Sequence, residues 1–126
     1  MYNRYLITGA TGFLGRAVVD ELVRLNNVRI DALVLKNDPY ADLLPKGVCT
    51  VIGDVCAEDS LERFFAGADG NTCVIHCAGI ISVASRSGSK LYQVNVGGTR
   101  NVLRQCTGHR VGKMIYVSSV HAIPEK

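Results

Sequence analysis

Short apolar runs alternate with helix-like segments from one end of the chain to the other. Strand-like runs are predicted at residues 5–8, 30–35, 48–52, 73–77 and 113–118. The runs are apolar on both faces, which is typical of parallel strands with helices on both sides of the sheet. The alternation therefore predicts an α/β fold with helical crossover connections.

Helical periodicity fills the segments between these runs. The predicted helices are residues 13–25, 58–65 and 90–106, with a short helix or turn at 38–46. The first helix carries Leu14, Val18 and Leu22 at helical spacing, and Asn26 and Asn27 follow it as an end signal. No repeat or interdomain linker interrupts the pattern, so residues 1–126 are predicted to form one domain.

Right-handed crossovers, with a reversal after the third strand, predict the strand order 3-2-1-4-5. Such a sheet is doubly wound and of the Rossmann type. Its binding crevice lies at the switch point between the first and fourth strands. Because the strands are parallel, their carboxyl ends share one edge, where binding and reacting residues are expected.

Composition narrows the class of protein. The chain has 126 residues, of which 48% are hydrophobic, enough for the core of one domain. The net charge of +3 comes from scattered lysines and arginines, so neither nucleic-acid nor membrane binding is expected. No apolar leader precedes the first strand and no apolar stretch approaches membrane-spanning length, which indicates a cytoplasmic protein.

The cysteines give no sign of a disulfide framework or a zinc site. Their number is odd and no C-x-x-C pair occurs, so no metal is expected. Most fall in strand-like runs and are predicted to be small buried apolar side chains in a reducing compartment. They are Cys49, Cys56, Cys73, Cys77 and Cys106.

A glycine-rich turn follows the first strand and precedes the first helix. Its bare backbone can approach a ligand, and the helix start offers free N–H groups and a positive dipole end to an anion. The position between strand and helix favours a dinucleotide pyrophosphate over a simple surface turn. The candidate contacts are Gly9, Thr11, Gly12, Phe13, Leu14 and Gly15.

With Thr8 in front, the turn resembles the T-G-x-x-G-x-x-G motif of the short-chain dehydrogenase/reductase superfamily. The segment G-A-T-G-F-L-G is similar to its extended branch, which contains nucleotide-sugar epimerases and dehydratases, hydroxysteroid dehydrogenases and dihydroflavonol reductases. The resemblance implies hydride transfer between a nicotinamide and a carbon that bears a hydroxyl or keto group. Dihydroflavonol-reductase-like or nucleotide-sugar epimerase chemistry is the setting that we favour.

The residues after the second strand bear on the choice of dinucleotide. An acidic residue there suits the ribose hydroxyls of NAD, whereas a basic residue suits the extra phosphate of NADP. Lys36 favours NADP. In the alternative, Asp38 bends back to the ribose hydroxyls, and the dinucleotide is then NAD.

The end of the third strand resembles a second cofactor-binding element of the branch. Gly53-Asp54-Val55 is similar to G-D-[VLI], which implies that Asp54 accepts a hydrogen bond from the adenine amino group and that Val55 lies beside it. The alternative is that Asp54 only caps a turn before the next helix.

The end of the fourth strand resembles the H-x-A-[AG] element. The resemblance implies that Cys77, Ala78 and Gly79 lie against the cofactor. His76 closes an apolar strand and is predicted to be structural, bonded to backbone, rather than an acid or base.

Two later segments resemble active-site elements of the branch. Residues 95–103 are similar to N-V-x-G-T-x-N-[VL]-L, which implies that Asn95 supports the active-site hydrogen bonds and that a glycine permits close packing. Residues 116–119 are similar to [YF]-x-S-S, which implies that Ser119 hydrogen-bonds the substrate oxygen beside the nicotinamide. Ser118 is a candidate cofactor contact next to it. Asn95 and Ser119 are the catalytic candidates.

The family's Tyr-x-x-x-Lys pair, which moves the proton, is absent, because no tyrosine stands four residues before a lysine. The resemblance accounts for the amino-terminal part of a typical member, before its sixth strand. We therefore expect the chain alone to bind the dinucleotide without turnover, the small-molecule substrate belonging to the full-length parent. The alternative is a non-enzymatic module that senses nucleotides or completes a partner chain. An exposed fifth strand also predicts a homo-oligomer.

Overall fold

The computed structural model describes residues 2–77 and 93–117. Five parallel strands form one sheet in the order β3-β2-β1-β4-β5, which confirms the predicted Rossmann-type topology. The strands are β1 (Arg4–Thr8), β2 (Arg29–Val34), β3 (Val48–Ile52), β4 (Thr72–His76) and β5 (Lys113–Tyr116). Each lies within two residues of its predicted bounds.

Helical segments connect the strands. They are α1 (Phe13–Leu22), a 3-10 turn (Ala41–Leu43), a second 3-10 turn (Glu58–Ser60) that runs into α2 (Leu61–Phe65), a π-helical turn (Gln93–Gly98) and α3 (Thr99–His109). The predicted short helices at 38–46 and 58–65 are therefore present, in part as 3-10 turns.

Two helix ends differ from the prediction. Helix α1 ends at Leu22 instead of residue 25, and Asn27 takes a left-handed φ of 64° before β2 begins. Helix α3 continues to His109, where Arg110 closes it with a left-handed φ of 52°. Apolar spacing missed both ends because they depend on these local backbone turns.

The core lies on both faces of the sheet, because alternate residues of each central strand point to opposite sides. On one face, Leu6 packs with Leu61, Phe64, Phe65 and Val102 of the helices. On the other face, Ile7, Ala32 and Ile75 pack with Val19 of α1. The central strands are buried on both faces, as predicted.

The two outer strands are not buried on both faces, and here the prediction was wrong. Cys49, Thr50 and Ile52 of β3 are exposed, as are Ile115 and Tyr116 of β5. An outer strand has a neighbouring strand on one side only, so its side chains are covered less than those of the central strands.

The cysteines also differ in exposure between the centre and the outside of the sheet. Cys73 and Cys106 are buried as predicted, and burial raises the pKa of the Cys106 thiol to about 11. Cys49 and Cys56 are exposed, so the prediction of buried side chains fails for these two. Both lie at or beyond the outer strand β3.

A buried ionic network lies among the apolar residues of β1 and β2. Asp31 is fully buried, and its Oδ2 lies 2.8 Å from both Nε and Nη2 of Arg4. Arg29 Nε donates to Asp31 Oδ1 at 3.1 Å. Arg4 also donates to the carbonyls of Ala66 (2.7 Å) and Phe64 (3.3 Å), at the end of α2. The network joins β1, β2 and α2, starting from the first residue of β1.

No helix in the two described ranges is long and apolar enough to cross a membrane.

Candidate dinucleotide-binding site

The strand carboxyl ends meet at one edge of the sheet, as the parallel topology requires. Thr8 of β1 is in register with Leu33 of β2 and with His76 of β4. His76 is in turn in register with Tyr116 of β5. The glycine-rich turn leaves β1 at the centre of this edge, at the switch point between β1 and β4.

The turn itself is built by two glycines for different reasons. Gly9 has a φ of 70°, a left-handed conformation that L side chains rarely adopt. Its carbonyl accepts the Gly12 N–H at 3.1 Å. A Cβ at Gly15 would overlap the Gly9 carbonyl oxygen and lie 2.7 Å from its carbon. The start of α1 therefore packs directly on the turn.

The first turn of α1 offers backbone donors without a protein cap. Gly12 occupies the N-cap position, and no side chain caps the helix. Helix-start N–H groups at Phe13 and Leu14 have no acceptor within the helix, as at every helix start. The Phe13 side chain is 96% exposed and points away from the core. This geometry fits an anion bound by main-chain amides and the helix dipole.

Asp38 is joined to the glycine-rich turn. Thr11 Oγ1 donates to Asp38 Oδ2 at 2.7 Å, and the Tyr40 N–H donates to Asp38 Oδ1 at 2.9 Å. The loop after β2 thus lies against the turn. Lys36 lies in the same loop and is exposed. Asp38 is therefore brought to the turn, and Lys36 stands two residues before it in the chain.

Asp54 and Val55 follow β3 at its carboxyl end but face different ways. Asp54 is exposed, and its Oδ1 accepts the Cys56 N–H at 2.9 Å, as in a capped turn. Val55 packs its side chain into the core, so any ligand contact of Val55 is made by its backbone.

The π-helical turn packs closely on Val55. A Cβ at Gly98 would lie 2.6 Å from Val55 Cγ2, whereas among residues 2–77 and 93–117 nothing lies within 4 Å of one at Gly97. Asn101 Nδ2 donates to the Val55 carbonyl at 2.8 Å. The close packing predicted at a glycine of this segment is therefore confirmed at Gly98.

His76 is fully buried at the end of β4 and is bonded at both ring nitrogens. Nδ1 lies 2.7 Å from Thr8 Oγ1, and Nε2 lies 3.0 Å from Thr99 Oγ1. The Tyr116 ring stacks on the imidazole at 5.5 Å. Burial lowers the pKa of His76 to about 4, so the ring is neutral and has one donor and one acceptor nitrogen. His76 thus has the structural place that was predicted, but its partners are side-chain hydroxyls and not the backbone groups that were expected.

Cys77 follows β4 beside the turn. Its N–H donates to both the carbonyl (3.1 Å) and the hydroxyl (3.0 Å) of Thr8. Burial raises the pKa of the Cys77 thiol, which keeps the thiol protonated at neutral pH. Cys77 thus lies next to the turn, and its predicted contact with the cofactor stays a prediction.

The remaining predicted site residues stay predictions. Ala78, Gly79, Ser118 and Ser119 lie outside the described residues. Asn95 belongs to the π-helical turn, but its side chain is outside the described part.

The side-chain contacts of Thr99 and Asn101 were not predicted from the sequence. Thr99 has no signal in the sequence beyond its place in a helix motif, and its bond to His76 spans 23 residues of chain. Asn101 likewise shows its role only through its contact with the loop after β3. Within residues 2–77 and 93–117, no cluster of three or more metal-ligating side chains occurs.

The sequence profile of the 3-beta hydroxysteroid dehydrogenase/isomerase family matches residues 6–126. The chain belongs to this family. The match confirms the resemblance to the extended short-chain dehydrogenase/reductases, within the hydroxysteroid dehydrogenase branch. The dihydroflavonol-reductase-like and nucleotide-sugar epimerase settings favoured from the sequence are not confirmed.

Relatives and solved structures agree with this assignment. Human 3 beta-hydroxysteroid dehydrogenase type 7 is 35% identical over 127 residues, covering 94% of this chain and 33% of the relative. Short-chain dehydrogenase/reductase family 42E member 1 of Macaca fascicularis is 31% identical over 120 residues, which cover 94% of this chain and 30% of the relative. The structure of the UDP-glucose 4-epimerase of Thermus thermophilus, in complex with NAD, matches with a TM-score of 0.79 and 28% identity. The match covers 92% of this chain and 37% of the epimerase chain. The chain spans about a third of the length of these relatives.

Proposed function

We propose that this chain is the dinucleotide-binding part of an NAD(P)-dependent oxidoreductase of the 3-beta hydroxysteroid dehydrogenase/isomerase family. The observation that carries the proposal is the uncapped start of α1, packed on the Gly9 turn at the switch point of the sheet. Main-chain donors and a dipole end at this position suit a pyrophosphate. The complex of the related epimerase with NAD supports the same ligand class.

The reaction of the whole protein is hydride transfer between the nicotinamide and a carbon that bears a secondary hydroxyl or a keto group. The bound dinucleotide supplies the hydride chemistry. In this chain, Ser119 orients the substrate oxygen and Asn95 supports the hydrogen-bond network around it, as the family motifs imply. A hydroxyl in that place positions the reacting oxygen without acting as a nucleophile.

The 126-residue chain binds the dinucleotide without turnover, because its sequence contains no Tyr-x-x-x-Lys pair. A non-enzymatic nucleotide-sensing or partner-completing module is the second candidate, and it shares this absence. Coding sequence that supplies a Tyr-x-x-x-Lys motif after the present residues would favour the enzyme. A native stop codon after Lys126, with tight binding and no turnover, would favour the module.

The site is tested by Gly12→Ser. Gly12 has an extended backbone that any residue adopts, and among the described residues a Cβ there meets only the Gly9 carbonyl oxygen, at an ordinary 3.4 Å. A serine hydroxyl at the N-cap also accepts from the helix N–H groups and competes with the anion. We expect NAD⁺ affinity in isothermal titration calorimetry to fall at least about tenfold while stability is kept.

The control for this test is Gly70→Ser, which adds the same side chain where no atom of the part of the chain that the structure describes lies within 4 Å of a Cβ. Gly70 precedes β4, at the opposite edge of the sheet, so its replacement should leave the affinity unchanged. Equal affinity of Gly12→Ser and the unaltered protein would overturn the proposed site.

NADP is the proposed dinucleotide, because Lys36 is exposed beside the turn while both Asp38 oxygens are already bonded to Thr11 and Tyr40. We expect Lys36→Glu to weaken NADP⁺ binding about tenfold by placing a carboxylate near the extra phosphate. NAD⁺ binding should change much less. Lys46→Glu, outside the site, is the charge-matched control, and a preference of the unaltered protein for NAD⁺ would refute the assignment.

A further inference from the structure

The Thr8 hydroxyl is the point at which the glycine-rich turn is attached to β4. Thr8 ends β1, and Gly9, with its left-handed φ of 70°, follows directly. The Thr8 hydroxyl lies 2.7 Å from His76 Nδ1 and accepts the Cys77 N–H at 3.0 Å. The orientation of Thr8 sets the direction in which the turn leaves the strand.

The His76 ring is itself held on three sides. Its Nε2 lies 3.0 Å from Thr99 Oγ1, at the first residue of α3, and the Tyr116 ring of β5 stacks on it. Because both ring nitrogens are bonded and the residue is fully buried, the imidazole has one orientation in this environment. A rigid side chain thus connects α3 to the start of the turn.

We propose that His76 is a positioning residue for dinucleotide binding, which fixes the glycine-rich turn through Thr8 while Thr99 fixes the imidazole. The proposal rests on the function proposed above, since the turn is the pyrophosphate site there. His76 does not touch the ligand in this scheme. It acts by keeping Gly9 and the first amides of α1 in the orientation that an anion requires.

Two substitutions distinguish the contributions of the two ring nitrogens of His76. An asparagine amide occupies the place of Nδ1, so His76→Asn keeps a partner for Thr8 and loses the one for Thr99. A glutamine amide occupies the place of Nε2, so His76→Gln keeps the bond to Thr99 and loses the one to Thr8. We expect His76→Gln to weaken NAD⁺ binding about tenfold, as for one lost hydrogen bond, and His76→Asn to retain most of it.

A control removes a partly buried hydrogen bond at the other end of the same strand. Thr72→Val loses the bond from the Asp69 N–H to Thr72 Oγ1 (3.1 Å) with little change in shape. It should lower stability to a similar extent and leave NAD⁺ affinity unchanged. Thermal unfolding of every variant identifies those that are folded at the temperature of the titration.

The link through Thr8 is tested by combining His76→Gln with Thr8→Val. Both changes remove the same bond, so the double variant should bind no more weakly than the weaker single variant. Thr8→Ser, which keeps the hydroxyl, should bind NAD⁺ like the unaltered protein. Additive losses, or equal affinities of the asparagine and glutamine variants, would overturn the inference. If the unaltered protein binds neither NADP⁺ nor NAD⁺, the proposed function fails instead.

Discussion

At the scale of single residues, the site depends as much on glycines, which have no side chain, as on the side chains that are present. Gly15 permits α1 to rest on the turn, because a Cβ there would overlap the Gly9 carbonyl oxygen. The substitution has no space into which to relax, since backbone atoms of Gly9 and Ala10 surround it. Packing and ligand binding therefore share one requirement at this residue.

We predict that Gly15→Ala destabilises the protein by about 2–3 kcal/mol, the usual cost of overpacking, and abolishes measurable NAD⁺ binding. Urea unfolding and calorimetric titration measure the two effects. Gly108→Ala is the control, because Gly108 lies in α3 with nothing within 4 Å of a Cβ. That change should stabilise the protein by about 0.5–1 kcal/mol. A fully stable Gly15→Ala variant would contradict the packing described.

The glycine-rich turn was predictable from the sequence because its spacing and its place between strand and helix are local properties. The bonds from His76 to Thr8 and Thr99 were not, since they form only after β1, β4 and α3 have packed. The same holds for the exposure of Cys49, which depends on β3 lying at the outside of the sheet.

At the scale of elements, strands were predicted well because parallel strands are short apolar runs between polar turns. Helix ends were predicted less well, since Asn27 and Arg110 decide them by left-handed backbone conformations that apolar spacing does not encode. Residues Gln93–Gly98 lie in the helix predicted at 90–106, but their π-helical form was not predicted. The path of this turn follows from the approach of Gly98 to Val55, which is a tertiary contact.

The Arg4–Asp31 network is the strongest polar connection between elements. Asp31 is a charged residue within an apolar strand, and this anomaly was the one signal of the network in the sequence. Its partner was not predictable, because Arg4 lies 27 residues away and comes near only through the pairing of β1 with β2.

We predict that Arg4→Met destabilises the protein by about 3–5 kcal/mol, because it leaves the buried Asp31 carboxylate without its main partner. The control is Arg16→Met, which breaks an exposed pair with Asp20 (3.0 Å) and should cost less than about 1 kcal/mol. Urea unfolding measures both. Combining Arg4→Met with Asp31→Leu should recover much of the loss, and equal costs for Arg4 and Arg16 would refute the role of burial.

At the scale of the whole molecule, stability and binding lie at different edges of the sheet. The Arg4 network begins at the first residue of β1, whereas the glycine-rich turn, Asp38 and His76 lie at the strand carboxyl ends. Of these, His76 also makes the stability of the whole fold depend on pH, through its burial.

The sign of this dependence follows from the pKa of His76, which burial lowers to about 4 from 6.5. Between these values the unfolded chain binds a proton that the folded protein does not, so folding stability falls as pH falls. The loss from this group is about 1.4 kcal/mol per pH unit, or about 3 kcal/mol in all at pH 4. His76→Asn lacks the titrating ring and should not show it.

Urea unfolding of the unaltered protein and of His76→Asn at pH 7, 5.5 and 4.5 measures this contribution. The difference in unfolding free energy between the two proteins should shrink steadily over that range. A constant difference would mean that His76 takes up its proton equally in the folded and unfolded states.

The bare start of α1 has a consequence for dynamics. A pyrophosphate seated there completes the helix in the way that a capping serine or aspartate does elsewhere. Ligand occupancy and the local order of Phe13 and Leu14 then rise together. Amide hydrogen exchange in that first turn therefore reports the fraction of binding sites that hold a ligand, and it requires no enzymatic assay.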